Sequence, residues 1–468
     1  MSAISLDEPL WQNWFTNLDD LQEIRDRVSL HVKPIESLGD IDVETACQQM
    51  QTAWSNVFIP GPEHCLILQR HVKRAMAFAK DRYPSFRQYL SNCDQGVPQE
   101  LRPSIWCFTG LAGVSKSSLI GALERLFNSQ HTHEEQVCGH QLHLQPIKSI
   151  RIDSNLSISG VLRRLAGPVS LLDRKAMSQA NLEGHVRQML HARCTVTLVV
   201  DEMQFLTQSK SASTQTSKLI WIAGCLGVPL TYVANYSLGH KLFERPQEEI
   251  DRLLNTPIVL DPPMADSPHW HSVVDEYIKV SPASFGISAK EHADELHRLS
   301  AGMFRSLQYL LIHAYRIANL RGFAKSITID DVRSAYQGSE YSGQRKTIEA
   351  IASLKVSNFL LGKRRDLTSP FAKVNQPSQP IVREKGMSTQ DLAASLLESA
   401  ISVGSRKVYQ ELKEAVQATD AGQKTKATIT PMPKRPKISA DALYAGAQIM
   451  REQSNASMKK GAPEKTKS

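Results

Sequence analysis

Residues 110–118 read GLAGVSKSS and lie between an apolar run, SIWCF at 104–108, and a segment with helical spacing, LIGALERLF at 119–127. A loop that binds phosphate needs backbone N–H groups that point inward, a lysine that reaches the outer phosphates and a hydroxyl that binds Mg²⁺. Lys116 and Ser117 open the predicted helix, whose N-terminus adds its positive end. The stretch therefore predicts a nucleotide-binding loop between a strand and a helix.

One residue of this loop departs from the usual pattern. Ser115 stands where such loops normally carry their last glycine, and its Cβ crowds the phosphate unless the backbone lies in a region open to L-residues. We expect nucleotide binding to survive and the rate of hydrolysis to depend on this serine. The residues predicted to contact the nucleotide are Gly110, Leu111, Ala112, Gly113, Val114, Ser115, Lys116, Ser117 and Ser118.

A second motif supplies the carboxylates that nucleotide hydrolysis needs. The apolar run VTLVV at 196–200 ends in Asp201 and Glu202, which predicts a buried strand with two carboxylates at its carboxyl end. In a parallel sheet that end lies at the same edge as the nucleotide-binding loop. Ser117 and Asp201 are the predicted Mg²⁺ ligands, Asp201 through water, and Glu202 is predicted to polarise the attacking water.

The pattern from 104 to about 262 alternates apolar strands with helices. This pattern predicts an α/β fold with a central parallel sheet covered on both faces. The predicted domains are a helical region at 1–55, a nucleotide-binding α/β domain at 56–262, a helical lid at 263–340 and a basic, mostly disordered tail with short helices at 341–468. For 1–55 two interpretations stay open: a partner-docking region, or an amphipathic segment packed on its own domain.

Charge is distributed unevenly along the 468 residues. The net charge is +8, but the tail from 341 onward holds 22 Lys and Arg against 11 Asp and Glu, which leaves the body slightly negative. Any nucleic-acid contact by the body therefore requires a local basic patch. The tail adds KRPK at 434–437, which suits nonspecific attraction to nucleic acid or a flexible tether.

Other features of the sequence predict a cytoplasmic protein without a membrane partner. The acidic N-terminus lacks a secretion signal, and no apolar stretch approaches the length of a membrane span. The seven cysteines are scattered, without a CxxC pair, which is typical of reduced thiols.

The order of these motifs resembles that of the AAA+ ATPases. GLAGVSKSS, LVVDE, a polar residue after the next strand and a helical lid that opens with GMFR follow that family's layout. More narrowly, LVVDEMQFL, GVPLTYVANYSL and GMFRSLQYLL, within about residues 55–340, resemble the TnsC/TniB group, the ATP-dependent target-selection proteins of bacterial transposons, with MuB as a more distant relative. The resemblance implies ATP and Mg²⁺ as cofactors, Asn235 as sensor 1 and Arg305 as sensor 2.

The same resemblance implies how the protein acts. Relatives form homo-oligomeric rings or filaments on double-stranded DNA without strong sequence preference, and they link a target-selection protein to the transposase. ATP between subunits favours the assembled state and hydrolysis releases it. An arginine of a neighbouring subunit completes each site; Arg245 and Arg252 are both candidates, and Arg252 is preferred. Such a protein belongs in the bacterial cytoplasm, associated with the nucleoid when it is on DNA.

The best candidates for DNA contact follow the second predicted strand. The stretch KSIRIDSNLSISGVLRRLAGPV at 148–169 carries Lys148, Arg151, Arg163 and Arg164, and such side chains suit contacts to phosphates without base readout. An equally open interpretation is that Arg163 and Arg164 simply form a solvent-facing helix surface.

Two further alternatives remain at this point. The stretch 131–143, HTHEEQVCGHQLH, holds five His and Cys side chains, but their spacing matches no common zinc module, so a polar surface loop is favoured over a metal site. For the whole chain, the alternatives to a transposition ATPase are a nucleotide-locked DNA-binding scaffold with little ATPase activity, or another DNA-bound AAA+ switch such as an initiator or helicase loader. No winged-helix pattern follows the lid, which weighs against an initiator.

Overall fold

The structure is a computed structural model. It describes residues 7–9, 11, 14–36, 38–95, 103–128, 134–137, 140–152, 156–167, 177–204, 212–321, 326–356 and 364–371. Most of the predicted tail, including KRPK at 434–437, lies outside these residues.

The strands and helices alternate through the middle of the chain. The strands are β1 (Ile105–Gly110), β2 (Glu134–Val137), β3 (His140–His143), β4 (Ile147–Arg151), β5 (Thr197–Asp201), β6 (Leu230–Asn235) and β7 (Pro257–Leu260). The helices are α1 (Leu21–Val28), α2 (Val43–Ser55), α3 (Pro62–Arg82), α4 (Phe86–Gln95), α5 (Lys116–Asn128), α6 (Ile158–Ala166), α7 (Gln179–Ala192), α8 (Ala212–Gly224), α9 (Tyr236–Phe243), α10 (Gln247–Leu253), α11 (Pro268–Ile278), α12 (Ala289–Ser300), α13 (Phe304–Leu320), α14 (Ile329–Gln337) and α15 (Ser342–Val356).

Five strands form one sheet in the order β4-β5-β6-β1-β7, and every neighbouring pair is parallel. The strands at its centre are apolar on both faces because helices cover both, and all five residues of β5 are buried. The prediction of an α/β fold with a central parallel sheet is confirmed.

The two faces of the sheet belong to two separate hydrophobic clusters. Phe108 and Val199 point into a cluster that includes residues of α1, α2, α3 and α5 and of the helices after β7. Cys107, Leu198 and Val200 point to the other face, into a cluster with residues of α6, α7 and α8. This alternation is the period-two pattern of a strand, and it fixes which side chains reach which layer.

After β7 the chain forms four helices, α11–α14, here called the lid, in the region for which a helical lid was predicted. Side-chain caps define its helices: Ser267 accepts from the N–H of Trp270 before α11, and Ser288 accepts from that of Glu291 before α12. Thr328 and Asp331 form a reciprocal capping box at the start of α14.

The described part of the N-terminal region packs within the chain. Trp14 and Trp54 are buried in the same cluster as the lid. The indole N–H of Trp54 donates to the carbonyl oxygen of Tyr277 over 3.0 Å, and so ties α2 to the end of α11. Large aromatic side chains of this region therefore contribute to the core of the α/β domain and lid.

Residues 364–371, here called the strap, lie against α9. His240 Nε2 donates to the carbonyl oxygen of Thr368 over 2.9 Å, and the rings of Phe243 and Phe371 meet edge to face. The contact depends on a glycine, because a Cβ on Gly239 would lie 2.7 Å from Cγ of Pro370.

The stretch 131–143 differs from the sequence-based expectation of a loop. Within it, β2 and β3 form an antiparallel hairpin in which Glu134 pairs with His143. The pairing satisfies backbone N–H and C=O groups of both strands. The strands are too polar to give an apolar alternation, so the sequence pattern did not predict them. His131, His133 and Cys138, the other suggested ligands, lie outside the described residues.

Membrane spans and metal-ligand clusters are both absent from the described residues. None of their helices is both long and apolar enough to cross a membrane. They also contain no cluster of three or more His, Cys, Asp or Glu side chains arranged to hold a metal ion.

Candidate functional site

The carboxyl ends of three strands bring the predicted nucleotide-site residues together. Gly110 ends β1, Asp201 ends β5 and Asn235 ends β6. Gly110 lies directly opposite Asn235 in the strand register. The loop after β1, the carboxylates after β5 and the polar residue after β6 thus share one edge of the sheet, as parallel strands require.

The loop of residues 111–115 is compact because of its backbone. A Cβ at Gly110 would collide with the carbonyl oxygen of Leu260 on β7, so the loop leaves the sheet where only glycine fits. Gly113 has φ +91° and Ser115 has φ +70°, and both values lie in the left-handed region. Ser115 therefore adopts a conformation that is open to L-residues but favours glycine.

Lys116 lies over this loop. Its Nζ donates to the carbonyl oxygens of Gly110 over 3.0 Å and of Leu111 over 2.7 Å, and only 9% of the residue is exposed. Burial lowers the pKa of its ammonium group to about 8, although the charges of Asp201 and Glu202 act to raise it. A buried ammonium held by neutral carbonyl oxygens is suited to bind a polyanion, because phosphate oxygens supply the negative charge that the carbonyl oxygens lack.

A hydroxyl and a carboxylate meet where a phosphate-bound cation belongs. Ser117 Oγ donates to Asp201 Oδ2 over 2.8 Å. Both groups are oxygen ligands of the kind Mg²⁺ prefers, and Mg²⁺ usually keeps several waters and binds few protein groups. These residues therefore fit Mg²⁺ held by the Ser117 hydroxyl and, through water, by Asp201.

Glu202 follows β5 in a left-handed conformation, with φ +61°. Its backbone N–H donates to Asp201 Oδ1 over 2.7 Å, which fixes this turn. Its carboxylate accepts from Arg151 Nη2 over 3.3 Å and also from Gln204 Nε2. Glu202 is thus held at the edge of the sheet by two neighbours that sequence reasoning did not connect with it.

The structure places the proposed sensor residues around the same edge. Asn235 is both the last residue of β6 and the N-cap of α9. Arg305 is the second residue of α13 and is exposed, and a Cβ at Gly113 would lie 3.3 Å from its Cβ. Arg305 therefore projects from the lid beside the nucleotide-binding loop.

The two candidate trans-acting arginines have different surroundings. Arg245 is held within its own chain, since Nε and Nη2 each bond the carboxylate of Glu249 at 2.9 Å. The guanidinium of Arg252 lies over the ring of Trp221, 5.1 Å from its centroid, in the last turn of α10. A guanidinium stacked on an aromatic ring keeps its N–H edges available, whereas the fork of Arg245 is already paired.

The four candidate DNA-contacting residues do not form one group. Arg163 and Arg164 are exposed on α6, and Arg164 Nη1 donates to the carbonyl oxygen of Arg151 over 2.6 Å. Lys148 and Arg151 lie three residues apart on β4 and so project to opposite faces. The pKa of Lys148 is lowered by burial and, to a lesser extent, by the charge of Arg193. The structure thus joins Arg151 and Arg164 and separates Lys148 from them.

A pocket of about 180 Å³ opens beside the nucleotide-binding loop. It is lined by residues 57–59, by Gly113 and Ser115, and by lid side chains that include Tyr277 and Gln308. Gly113 and Ser115 were predicted from the sequence, whereas residues 57–59, Tyr277 and Gln308 come from three other parts of the chain and form no sequence motif, so sequence reasoning missed them.

His64 is the other residue that the sequence did not reveal. It is the third residue of α3, is buried, and its Nε2 lies 3.2 Å from Ser115 Oγ. Burial lowers the pKa of its imidazole to about 3, so the ring is neutral at physiological pH. Only the helical spacing of 61–90 was visible in the sequence, and it gave His64 no distinction.

The chain combines a parallel sheet of order β4-β5-β6-β1-β7, a predicted nucleotide-binding loop after β1, carboxylates at the end of β5 and four helices after β7. This is the architecture that the resemblance to the AAA+ ATPases predicts.

Comparison with known proteins yields distant likenesses. The sequence matches no protein-family model and no curated protein sequence. Among solved structures, the ORC1 protein of Aeropyrum pernix in complex with DNA is similar to this chain with 16% identity and a TM-score of 0.37, over 59% of this chain and 67% of that one. Cdc6p from Pyrobaculum aerophilum has 15% identity and a TM-score of 0.42, over 65% and 78%. Domain III of the Thermotoga maritima replication initiation protein DnaA has 12% identity and a TM-score of 0.35, over 59% and 92%.

Proposed function

We propose that this protein is an ATP-dependent regulator of DNA transposition that oligomerises on target duplex DNA and links a target-selection protein to the transposase, with ATP hydrolysis controlling disassembly. The observation that carries the nucleotide part is the convergence of buried Lys116, the Ser117–Asp201 pair and Glu202 at one sheet edge. The transposition part rests on the resemblance of residues 55–340 to the TnsC/TniB group.

In the nucleotide site each residue has a defined role. Lys116 and the N–H groups at the start of α5 bind the phosphates, and Arg305 approaches them from the lid. Ser117 and Asp201 hold Mg²⁺, which when bound neutralises charge on the phosphates. Glu202 accepts a proton from the attacking water, and Asn235 orients that water at the end of β6.

The pocket beside the loop is suited to the base of the nucleotide. Its walls combine the apolar segment 57–59 and Tyr277 with Gly113 and Ser115 of the loop proposed to bind phosphate. Base pockets are usually apolar with few polar groups that fix orientation. The amide of Gln308, which bonds the Tyr277 hydroxyl over 2.9 Å, is such a polar group.

Assembly supplies the last group of the site. Arg252 is exposed and stacked on Trp221, which favours it over the paired Arg245 as the arginine donated to a neighbouring subunit. ATP bound at such a boundary stabilises the oligomer by mass action, because it binds the assembled state better than the free chain.

DNA contact and partner contact are assigned to different parts of the chain. Arg151, Arg163 and Arg164 would contact phosphates without base readout, with Lys148 as an outlying contributor. The N-terminal region at 1–55 and the basic tail at 341–468 would bind the transposase and the target-selection protein. We propose accordingly that the protein acts in the bacterial cytoplasm, on the nucleoid when it is assembled.

A second candidate function has its own support. Ser115 replaces glycine in the loop, and Glu202 is held by Arg151 and Gln204 rather than standing free. Both features favour a nucleotide-locked DNA-binding scaffold with little turnover. Another DNA-bound AAA+ switch, such as a helicase loader, would use the same nucleotide site.

The first test is ATP-dependent assembly on random-sequence duplex DNA, imaged by negative-stain electron microscopy. Rings or filaments that require both ATP and Lys116 are expected, so Lys116→Ala should abolish them. Lys346→Ala, which removes an exposed lysine of α15, is the matched control and should assemble normally. Phosphate release at saturating DNA then separates the ATPase from the scaffold, and absence of assembly with any nucleotide would contradict the proposal. The transposition part is tested by the chromosomal neighbourhood of the gene, and a neighbourhood without transposase genes would contradict it.

A further inference from the structure

The nucleotide-binding loop contains a serine in a conformation that favours glycine. Ser115 has φ +70°, and a non-glycine residue pays an energetic penalty there unless neighbouring groups hold it. Its hydroxyl makes two contacts: it donates to the carbonyl oxygen of Val114, and it lies 3.2 Å from His64 Nε2. The question is what His64 contributes to this arrangement.

The hydrogen bonds around His64 define its tautomer. The backbone N–H of Gly61 lies 3.1 Å from His64 Nδ1, and an N–H can only donate, so Nδ1 is an acceptor. The neutral ring then carries its proton on Nε2 and donates it to Ser115 Oγ. The hydroxyl proton of Ser115 is directed to the carbonyl oxygen of Val114. A consistent series of hydrogen bonds therefore runs from Gly61 through His64 and Ser115 to Val114.

His64 cannot easily turn away from this contact. It is 4% exposed, and its ring packs edge to face against Phe58 and against His269, with centroids 5.6 and 5.1 Å away. His269 belongs to the lid and donates to the carbonyl oxygen of Ile59 over 2.8 Å. The imidazole is thus fixed from the N-terminal segment, from α3 and from the lid.

We propose that His64 is a positioning residue of the nucleotide-binding loop, whose ring N–H holds the Ser115 hydroxyl and thereby keeps the backbone of Ser115 in the left-handed conformation that the loop requires. Glycine would adopt this left-handed conformation without a partner, whereas Ser115 requires the hydrogen bond from His64. The inference rests on the proposed nucleotide site, and it explains how a loop without its last glycine binds phosphate.

The test is a double-mutant cycle between positions 64 and 115, read as the Kd of a fluorescent ATP analogue with Mg²⁺. Ser115→Ala keeps the Cβ and removes the acceptor, so its affinity is expected to fall about tenfold, the scale of one lost hydrogen bond plus backbone strain. His64→Ala should cause a similar loss in the natural background. In the Ser115→Gly background His64→Ala should change the Kd by less than about twofold, because glycine adopts this φ freely.

A second histidine of the same helix is the matched control. His71 is buried like His64, but it donates from Nδ1 to the carbonyl oxygen of Ile67 and its Nε2 faces Thr231 instead of the loop. His71→Ala should lower the melting temperature and leave the Kd unchanged in both backgrounds. General loss of folding is thereby separated from loss of loop position.

The outcomes are distinguishable. An equal loss from His64→Ala in the natural and the Ser115→Gly backgrounds, or no loss in either, would overturn the positioning role while leaving the nucleotide site intact. Unchanged affinity in Lys116→Ala would overturn the nucleotide site itself, and the inference with it. Rescue of His64→Ala by Ser115→Gly is the result that supports it, because a merely structural histidine would not be rescued by a change in the loop.

Discussion

Two turns at the same sheet edge solve the same backbone problem in different ways. The turn after β1 holds Ser115 at φ +70°, and the turn after β5 holds Glu202 at φ +61°. The partner of Ser115 is His64, which is buried and uncharged at physiological pH. The partner of Glu202 is Arg151, a charged side chain that is 65% exposed.

The difference in partners separates a fixed turn from an adjustable one. A buried hydrogen bond between neutral groups is not screened by salt and is costly to break. An exposed ion pair contributes little and is easily exchanged for another partner. The first turn therefore suits the proposed binding role. The second suits the proposed catalytic role of Glu202, whose position would change if DNA phosphate, the proposed ligand of Arg151, competed for that side chain.

The largest effect is expected at the adjustable turn. Glu202→Gln keeps the shape of the side chain but removes the base that accepts the proton, so DNA-stimulated phosphate release should fall about 1,000-fold. ATP affinity should stay within about twofold, since the first turn is untouched. Single-turnover phosphate release and equilibrium nucleotide binding measure the two quantities. If Glu202→Gln lowered ATP affinity as much as it lowered turnover, the assignment of binding to the first turn and catalysis to the second would be contradicted.

The fixed turn is broken most directly at Lys116. Lys116→Ala removes an ammonium that is 9% exposed and whose charge-assisted bonds to phosphate have no replacement, so ATP affinity should fall about 100-fold. The measurement is the Kd by equilibrium titration, with Lys346→Ala as control. A loss of turnover at unchanged ATP affinity would instead indicate that Lys116 acts in catalysis and not in binding.

The binding turn should also respond to pH in a defined direction. Burial lowers the pKa of Lys116 to about 8, so above that pH the free protein loses the ammonium proton that phosphate requires. Binding then needs proton uptake, and ATP affinity should fall as pH rises above about 8, by at most about tenfold per pH unit. Lys116→Arg, which stays charged, should give a flat profile over the same range. A wild-type profile as flat as that of Lys116→Arg would show that the bound state does not depend on this proton.

The smallest effect sharpens the contrast between the turns. Arg151→Ala removes an exposed ion pair and leaves Gln204 as the remaining side-chain partner of the Glu202 carboxylate, so phosphate release without DNA should rise about threefold at low salt, and less at high salt. Arg163→Ala, which removes an exposed arginine of the nearby α6, is the control and should leave basal release unchanged. A decrease in basal release would mean that Arg151 supports Glu202 instead of restraining it.

Much of the structure at this edge of the sheet was predictable because each apolar run in the sequence ends at a glycine or a polar residue. The apolar runs that became β1, β5 and β6 stop at Gly110, Asp201 and Asn235, and the rule that parallel strands share an edge brings them together. Lys116 opens α5 where the sequence predicted. Local patterns therefore sufficed for the sheet, for the start of α5 and for the position of Asp201 at the end of β5.

The remainder depended on contacts between distant residues. His64 reaches Ser115 across 51 positions, and Arg151 reaches Glu202 across another 51, with no periodicity to connect either pair. Whether the partner of a turn is neutral and buried or charged and exposed is a property of packing. The β2–β3 hairpin was not predicted either, because its polar strands carry no apolar alternation.

The strap sets a practical limit on how far the chain can be shortened. A chain ending at 340, the predicted boundary of the lid, would lose Tyr341 and Ile348, whose side chains are buried in the cluster shared with the lid. It would also uncover the surface of α9 around Gly239, where Phe243 is already 41% exposed with Phe371 against it. Such a fragment would present a new apolar surface and is expected to self-associate without nucleotide. Ending the chain after residue 371 avoids this artefact, and is the safer choice for measuring assembly that truly depends on ATP.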